Sequence, residues 1–240
     1  MEDADGVPPY LKGLSDQACS LLVQTDADSK KKLNQQITQI TNSLESIPTE
    51  LPFSFTEDPK EYNVYWKIRK GLYPSVGAMR KTGTTVIIED VTFPIEKMAE
   101  ATLALQDLFA KYHYDEAVIF GHALEGNIHF VFNQDFNGQS EIDRYEEFME
   151  DLSVLVVDRF DGSLKAEHGT GRNMAPYVEK QWGEEAYEIM KSIKAIFDPK
   201  DMLNPGVILN NDPKVHLNNL KPMPEAHETV DKCTECGFCE

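Results

Sequence analysis

Three of the six histidines in this chain fall in two glycine-marked clusters. The first reads Gly121-His122-Ala123-Leu124-Glu125-Gly126-Asn127-Ile128-His129-Phe130. The second reads Gly162-Ser163-Leu164-Lys165-Ala166-Glu167-His168-Gly169-Thr170-Gly171-Arg172. Residues 117–121 and 127–133 read as two strands, and a turn at Glu125-Gly126-Asn127 would bring their facing ends together. His122 and His129 stand at those ends. Two imidazoles and a carboxylate make a divalent-metal site with room for a substrate, and Glu167 can supply the carboxylate. His168, next to it, could stand beside the metal as a base. Glycines at 162, 169 and 171 would let the backbone approach a ligand closely. Taken singly, each residue has a plainer reading, since most histidines are hydrogen-bonded structural groups and most loop glycines are turns. The coincidence of half the histidines in two glycine-rich loops favours chemistry.

A third group is made of sulfur. Cys233, Cys236 and Cys239 are spaced Cys-x-x-Cys-x-x-Cys just before the last residue, Glu240. An odd, closely spaced triplet is a poor disulfide framework. Three thiolates also lack the fourth donor of a closed zinc site. The spacing is the opening of an iron–sulfur run that goes on with three residues, a fourth Cys and a Pro. The expectation is a chain cut from a longer polypeptide that continues into a 4Fe-4S ferredoxin-like domain. A chance Cys-rich tail or a terminal zinc clip is the alternative. Cys19, in an apolar stretch, reads as a buried structural thiol.

The elements that must position these groups follow from periodicity. Short strands are expected at residues 18–25 and 53–56, and a clear one at 84–91, Thr-Thr-Val-Ile-Ile-Glu-Asp-Val. Helices are expected at 26–43, with Leu33, Ile37 and Ile40 on one face, at 61–72, from Pro94 to about 112, at 142–160 and at 176–197. The last carries an apolar stripe of Val178, Trp182, Ile189, Ile193 and Ile196. Strands alternating with long helices imply an α+β or α/β layer structure. Residues 1–14 read as a lead-in, 15–209 as the main domain, 210–230 as a polar linker, and 231–240 as the start of the iron–sulfur segment.

Twenty-three basic against 41 acidic residues give a formal net charge of −18. That weighs against nucleic acid and against an anionic membrane face. An anionic substrate would need positive charge supplied locally. No apolar run approaches the roughly 20 residues of a membrane helix, and no secretory leader is expected from the first residues.

The clusters resemble the C-terminal half of FAD-linked 2-hydroxyacid oxidases and dehydrogenases of the vanillyl-alcohol-oxidase type. These include D-lactate and D-2-hydroxyglutarate dehydrogenases and the glycolate oxidase flavin subunit. The family pattern Gly-His-x-Gly-Asp-Gly-Asn-x-His matches residues 121–129, with Leu124-Glu125 in place of Gly-Asp. Gly-x-x-x-x-Glu-His-Gly-x-Gly matches 162–171, and Phe-Asp-Pro-x-x-x-Leu-Asn-Pro-Gly matches 197–206 in full. With the cysteines added, the chain is most similar to the large bacterial D-lactate or D-2-hydroxyglutarate dehydrogenases that fuse FAD and iron–sulfur halves.

The resemblance implies an α+β fold, an antiparallel sheet covered by helices in a ferredoxin-like cap. It implies that His122, His129 and Glu167 hold zinc or manganese, which binds the carboxylate and hydroxyl of a small 2-hydroxyacid. His168 would take the hydroxyl proton while the Cα hydride leaves for the flavin. Arg69, in Trp66-Lys67-Ile68-Arg69, stands where relatives carry an arginine for the substrate carboxylate; a surface helix charge is the alternative. Asn127, Gly169, Gly171 and Asn204 would lie next to cofactor or substrate, Asn127 chiefly shaping the turn. FAD would be bound by a preceding domain, so the chain alone would not turn over, and electrons would pass on to iron–sulfur centres. A face left apolar for that domain is compatible with a homodimer of the isolated chain. The reading of no secretory leader and of reduced cysteines points to a cytoplasmic setting, and peripheral association with an inner-membrane electron-transfer chain stays open. Lys165-Ala166 replaces the usual small pair, Val131 stands where some relatives have Asn, and residues 86–89 contain no lysine for a second carboxylate. These departures leave the particular substrate open. Two other classes also stay open: an electron-transfer or scaffold module with structural histidines, and a metal-dependent hydrolase, although no His-x-x-x-His helix motif supports the latter.

Overall fold

The computed structural model describes residues 8–11, 13–15, 18–227, 229–231 and 233. Cys236 and Cys239 lie outside the described residues. The chain divides into two units, Met1–Ser75 and Val76–Glu240.

The first unit carries α1 (Lys30–Leu44) and α2 (Pro59–Lys70), and α3 (Leu72–Met79) begins in it. Both α1 and α2 start at side-chain caps. Ser29 Oγ accepts the Lys32 N–H at 3.4 Å, and Asp58 Oδ1 accepts the Lys60 N–H at 2.9 Å. Pro59 fills the first turn of α2, where no N–H is needed, and Lys67, Arg69 and Lys70 fill its last turn, against the negative end of the helix. The strands expected at 18–25 and 53–56 do not form. An apolar run becomes a strand only when a neighbour satisfies its N–H and C=O groups, and the described residues of this unit hold no strand to pair with. For the same reason Leu21, Leu22 and Val23 are exposed, and Cys19 is exposed rather than buried.

The second unit is built on β1 (Thr84–Thr92), β2 (Val118–His122) and β3 (Asn127–Asp135), in the order β1-β3-β2 with both pairings antiparallel. Helices α4 (Met98–Lys111) and α5 (Gln139–Ser153) cover one face, giving the α+β class. Side chains alternate across a strand, so Val91, Ile128, Phe130 and Phe132 share that covered face. Phe109 of α4 sits 5.4 Å from Phe130 and 5.6 Å from Phe148 of α5, ring centre to ring centre. Burying each such ring stabilises the fold by roughly 1.5–3 kcal/mol. The opposite face carries Asp90, Asn127, His129, Asn133 and His122, and it is there that the polar groups gather.

The helix expected at 142–160 is α5 continued by a π-helical turn, Val154–Arg159. That turn delivers the chain back to the sheet, where Thr92 and Ser163 exchange backbone hydrogen bonds of 2.9 and 2.8 Å. Only glycine fits at 162, because a Cβ there would lie 2.5 Å from Thr92 O. Short α6 (Gly171–Met174) and long α7 (Val178–Phe197) follow. Gly183, at φ 80° and ψ 161°, interrupts α7. Val178 is buried, but Trp182, Ile189, Ile193 and Ile196 of the apolar stripe are each more than half exposed.

Beyond α7 the third motif closes on Asp198. Its carboxylate accepts from Lys194 Nζ and from the amides of Met202 and Leu203, the latter two at 2.9 and 2.7 Å. These donors pull its pKa from the ordinary 3.8 down to about 2. The folded form therefore binds the proton less readily than the unfolded form. The stabilisation is complete above the unfolded value and is lost as pH falls through about 2. Asp198→Asn is expected to lower the melting temperature at neutral pH and to flatten its fall across the acid range. Scanning fluorimetry against pH reads this directly, and an unchanged acid profile would remove Asp198 as the cause.

Candidate metal centre

The β2–β3 hairpin turns through Ala123–Glu125 and Gly126. Two of its glycines are steric necessities. Gly126 adopts φ 65°, and a Cβ there would lie 2.1 Å from Phe93 O; at Gly121 a Cβ would lie 2.2 Å from Asn127 O. The tight turn sets His122 opposite Asn127 and places His129 between Phe120 on β2 and Asp90 on β1.

The second cluster meets the first here. Glu167 Oε1 lies 2.7 Å from His129 Nε2 and 3.4 Å from His122 Nε2. One donor atom from each of the three residues falls within 4.8 Å of the others. Donors around a tetrahedral zinc stand roughly 3.3 Å apart, so two imidazole nitrogens and a carboxylate oxygen fit zinc or manganese. His129 is buried at its root in the sheet, whereas His122 and Glu167 are about half exposed. The two exposed donors leave that side of the trio open to solvent. Burial, then the neighbouring His168, pushes the His129 pKa below its ordinary value. That favours the neutral ring, the form that ligates. His129 Nδ1, Asn127 Oδ1 and Asn133 Oδ1 are buried without a hydrogen-bond partner among the described residues. All three belong to one face of β3, and buried polar groups of this kind call for a polar ligand.

His168 stands beside the trio. Its ring stacks on His129 at 4.8 Å, with Nε2 3.8 Å from Glu167 Oε1 and Nδ1 3.6 Å from Asp90 Oδ1. Gly169 and Gly171 follow with φ of 73° and 61° and no atom within 4 Å of where a side chain would begin. That rim is open to a flat ring or a substrate.

The loop bearing Glu167 and His168 is fixed by Asp90, a residue that the sequence reading passed over. Asp90, fully buried on β1, accepts the amides of Ala166, Glu167 and His168 at 3.0, 2.6 and 3.2 Å. Lys165 Nζ lies 3.3 Å from Asp90 Oδ1 and also pairs with Glu89, whose other oxygen accepts from Asn173 Nδ2. Asn173 in turn accepts from Tyr145 OH at 2.7 Å. Burial pushes the Asp90 pKa up, but the Glu167 amide, Lys165 and His168 outweigh it and hold the carboxyl below its ordinary value. The available signal was two consecutive acids inside a β-branched strand, a costly arrangement unless both are paired.

Arg69 is half-buried in the last turn of α2, in the first unit. Asn127 is the first residue of β3. Asn204 is exposed at φ 44° in the turn organised by Asp198. Cys233 is exposed, and its carbonyl accepts from Arg80 Nη1, a guanidinium that also bonds Gly77 O and Thr84 O.

Comparison with known proteins gives a consistent picture. Residues 2–208 match the family model "FAD linked oxidases, C-terminal domain". The chain is 33% identical over 138 residues to glycolate oxidase subunit GlcD of Bacillus subtilis, covering 58% of this chain and 29% of that protein. It is 33% identical over 174 residues to the mitochondrial D-lactate dehydrogenase (cytochrome) of Arabidopsis thaliana, covering 72% and 30%. It is 29% identical over 142 residues to the D-2-hydroxyglutarate dehydrogenase of Xanthomonas citri, covering 59% and 29%. The chain spans about a third of the length of the curated relatives it matches. No helix among the described residues is long and apolar enough to cross a membrane.

Proposed function

This chain belongs to the family of FAD-linked oxidase C-terminal domains, and from that premise we propose that it is the metal- and base-bearing half of a flavin enzyme. That enzyme oxidises a D-2-hydroxyacid of the D-lactate or D-2-hydroxyglutarate type to the 2-oxoacid. The observation that carries the reading is the convergence of His122, His129 and Glu167, with His168 half-exposed at their side.

The chemistry supplied by the bound groups is Lewis-acid activation of the 2-hydroxyl at the ion and acceptance of the hydride at FAD. The chain's own residues do the rest. His122, His129 and Glu167 hold the ion. His168 takes the hydroxyl proton at Nε2, the nitrogen turned toward Glu167. The Arg69 fork suits a substrate carboxylate. The open backbone at Gly169 and Gly171 lets a flavin ring approach, and Asn127 offers its unpartnered oxygen at the same face.

The reading extends to electrons passing onward to a 4Fe-4S centre begun by Cys233, Cys236 and Cys239; their spacing supports it. An FAD-binding domain and an iron–sulfur domain of the same polypeptide are then the partners, with residues 210–230 as linker. The exposed stripe of α7 supports a docked neighbour, either that FAD domain or a second copy of the chain. A cytoplasmic setting at the edge of a membrane electron-transfer chain accords with thiols kept reduced.

The test is flavin bleaching. In the full-length parent polypeptide, which carries the FAD-binding domain, D-lactate or D-2-hydroxyglutarate is expected to reduce the flavin within seconds under argon, and the L-enantiomers to leave it oxidised. Stripping divalent metal should abolish the bleaching, and zinc or manganese should restore it. A metal-loaded flavin that stays oxidised with both D-acids would refute the assignment, and bleaching indifferent to metal removal would refute the role given to the trio.

A further inference from the structure

We propose that Asp90 is the positioning residue of this site, setting the ring of His168 so that its Nε2 faces the reacting centre and locking the Glu167 carboxylate beside His129. The inference rests on the reading of the histidine–glutamate trio as a metal centre, and on nothing in that reading that concerns Asp90.

Three observations carry it. Asp90 is fully buried, and its Oδ2 gathers three successive amides, those of Ala166, Glu167 and His168. Three donors on one oxygen fix the backbone of the two residues that matter and so fix where their side chains begin. Second, Asp90 stands opposite His129 in the β1–β3 register, so one strand pair sets both the sheet-borne ligand and the anchor of the loop-borne one. Third, its remaining oxygen, Oδ1, faces His168 Nδ1 at 3.6 Å. A carboxylate at that position favours the ring proton on Nδ1, which leaves the lone pair to Nε2. This is the atom 3.8 Å from Glu167 Oε1. Lys165 lets the carboxylate persist in the interior. Glu89 and Asp90 project to opposite faces of β1, and Lys165 reaches round the strand edge to touch both.

A carboxylate that only held the loop would be replaced well by asparagine, whose oxygen can still accept the amides. Asn cannot hold a ring proton as a charged acceptor does. Long-range proton–nitrogen correlation spectra of the chain, labelled with nitrogen-15, report which nitrogen of His168 carries the proton. The wild type is expected to show the Nδ1–H form, and Asp90→Asn a mixture or the Nε2–H form. Zinc affinity, by competition with a chromophoric chelator, is expected to fall roughly 10–100-fold in the same variant, the range for loss of a group that orients a ligand. An Nε2–H His168 in the wild type would overturn the proposal even if Asp90→Asn failed to fold. So would a folded Asp90→Asn with the wild-type tautomer and affinity. Failure of the wild type to bind zinc, with His168 still protonated at Nδ1 and released by Asp90→Asn, would refute the metal reading and leave the Asp90 assignment supported.

Discussion

Replacing His129 by alanine is expected to lower the zinc affinity of this chain by about three orders of magnitude, taking one ligand of three as roughly a third of the binding free energy of such sites. The reason is placement. His129 is the sheet-borne member of the trio, 4% exposed at its side chain and 2.7 Å from Glu167. Its ring is held between Phe120 and Asp90 on the neighbouring strands. His122 ends β2 and Glu167 rides a loop, so neither can move to replace a rigid buried nitrogen. His122→Ala should cost less, because an exposed position can be filled by water. Competition against a chromophoric chelator measures both, with melting temperatures as the control for folding. If His129→Ala stayed within tenfold of wild type, the three donors would not be acting as one centre.

The second large effect separates base from ligand. His168→Ala is expected to slow flavin reduction by a D-2-hydroxyacid by about 10²–10⁴-fold in the full-length, FAD-bearing parent, the range for loss of a positioned proton acceptor. Its zinc affinity should stay near that of wild type. This split matters because Asp90, His129 and His168 also bring three donor atoms within reach of one another. A metal seated in that alternative group would make His168 a ligand. Zinc affinity would then collapse together with the rate. Slow reduction with intact zinc binding assigns the proton to His168.

The sequence carried the parts of this site that depend on short-range order. The hairpin between His122 and His129 was legible because a two-strand turn needs few residues and the glycines within it are forced by contacts at 2.1 and 2.2 Å. Glu167 and His168 were legible as a motif, but not what holds them. Asp90 acts through residues far away in the chain, and nothing local in Ile-Ile-Glu-Asp-Val says which distant amides it will meet. The failures at 18–25 and at Cys19 share one cause: an apolar run states a need for cover, and the partner decides whether strand or exposed segment results. The stripe on α7 teaches the same lesson in helical form. The break at Gly183 interrupts its period, and four of its five residues lie open to solvent. The roles of Arg69 and Asn204, by contrast, came from family pattern alone.

The hairpin has a consequence for the order in which the site is born. Two imidazoles joined by a turn of a few residues meet on the timescale of hairpin closure, about 1–10 μs, with little loop entropy against them. Glu167 follows in the chain only after α5 and the π-helical turn, and its segment reaches the site where Ser163 pairs with Thr92. An ion captured during synthesis therefore meets a two-nitrogen clasp first and gains its carboxylate last. Metal exchange would then need only the Glu167 segment to open, with the sheet intact and ready to reload.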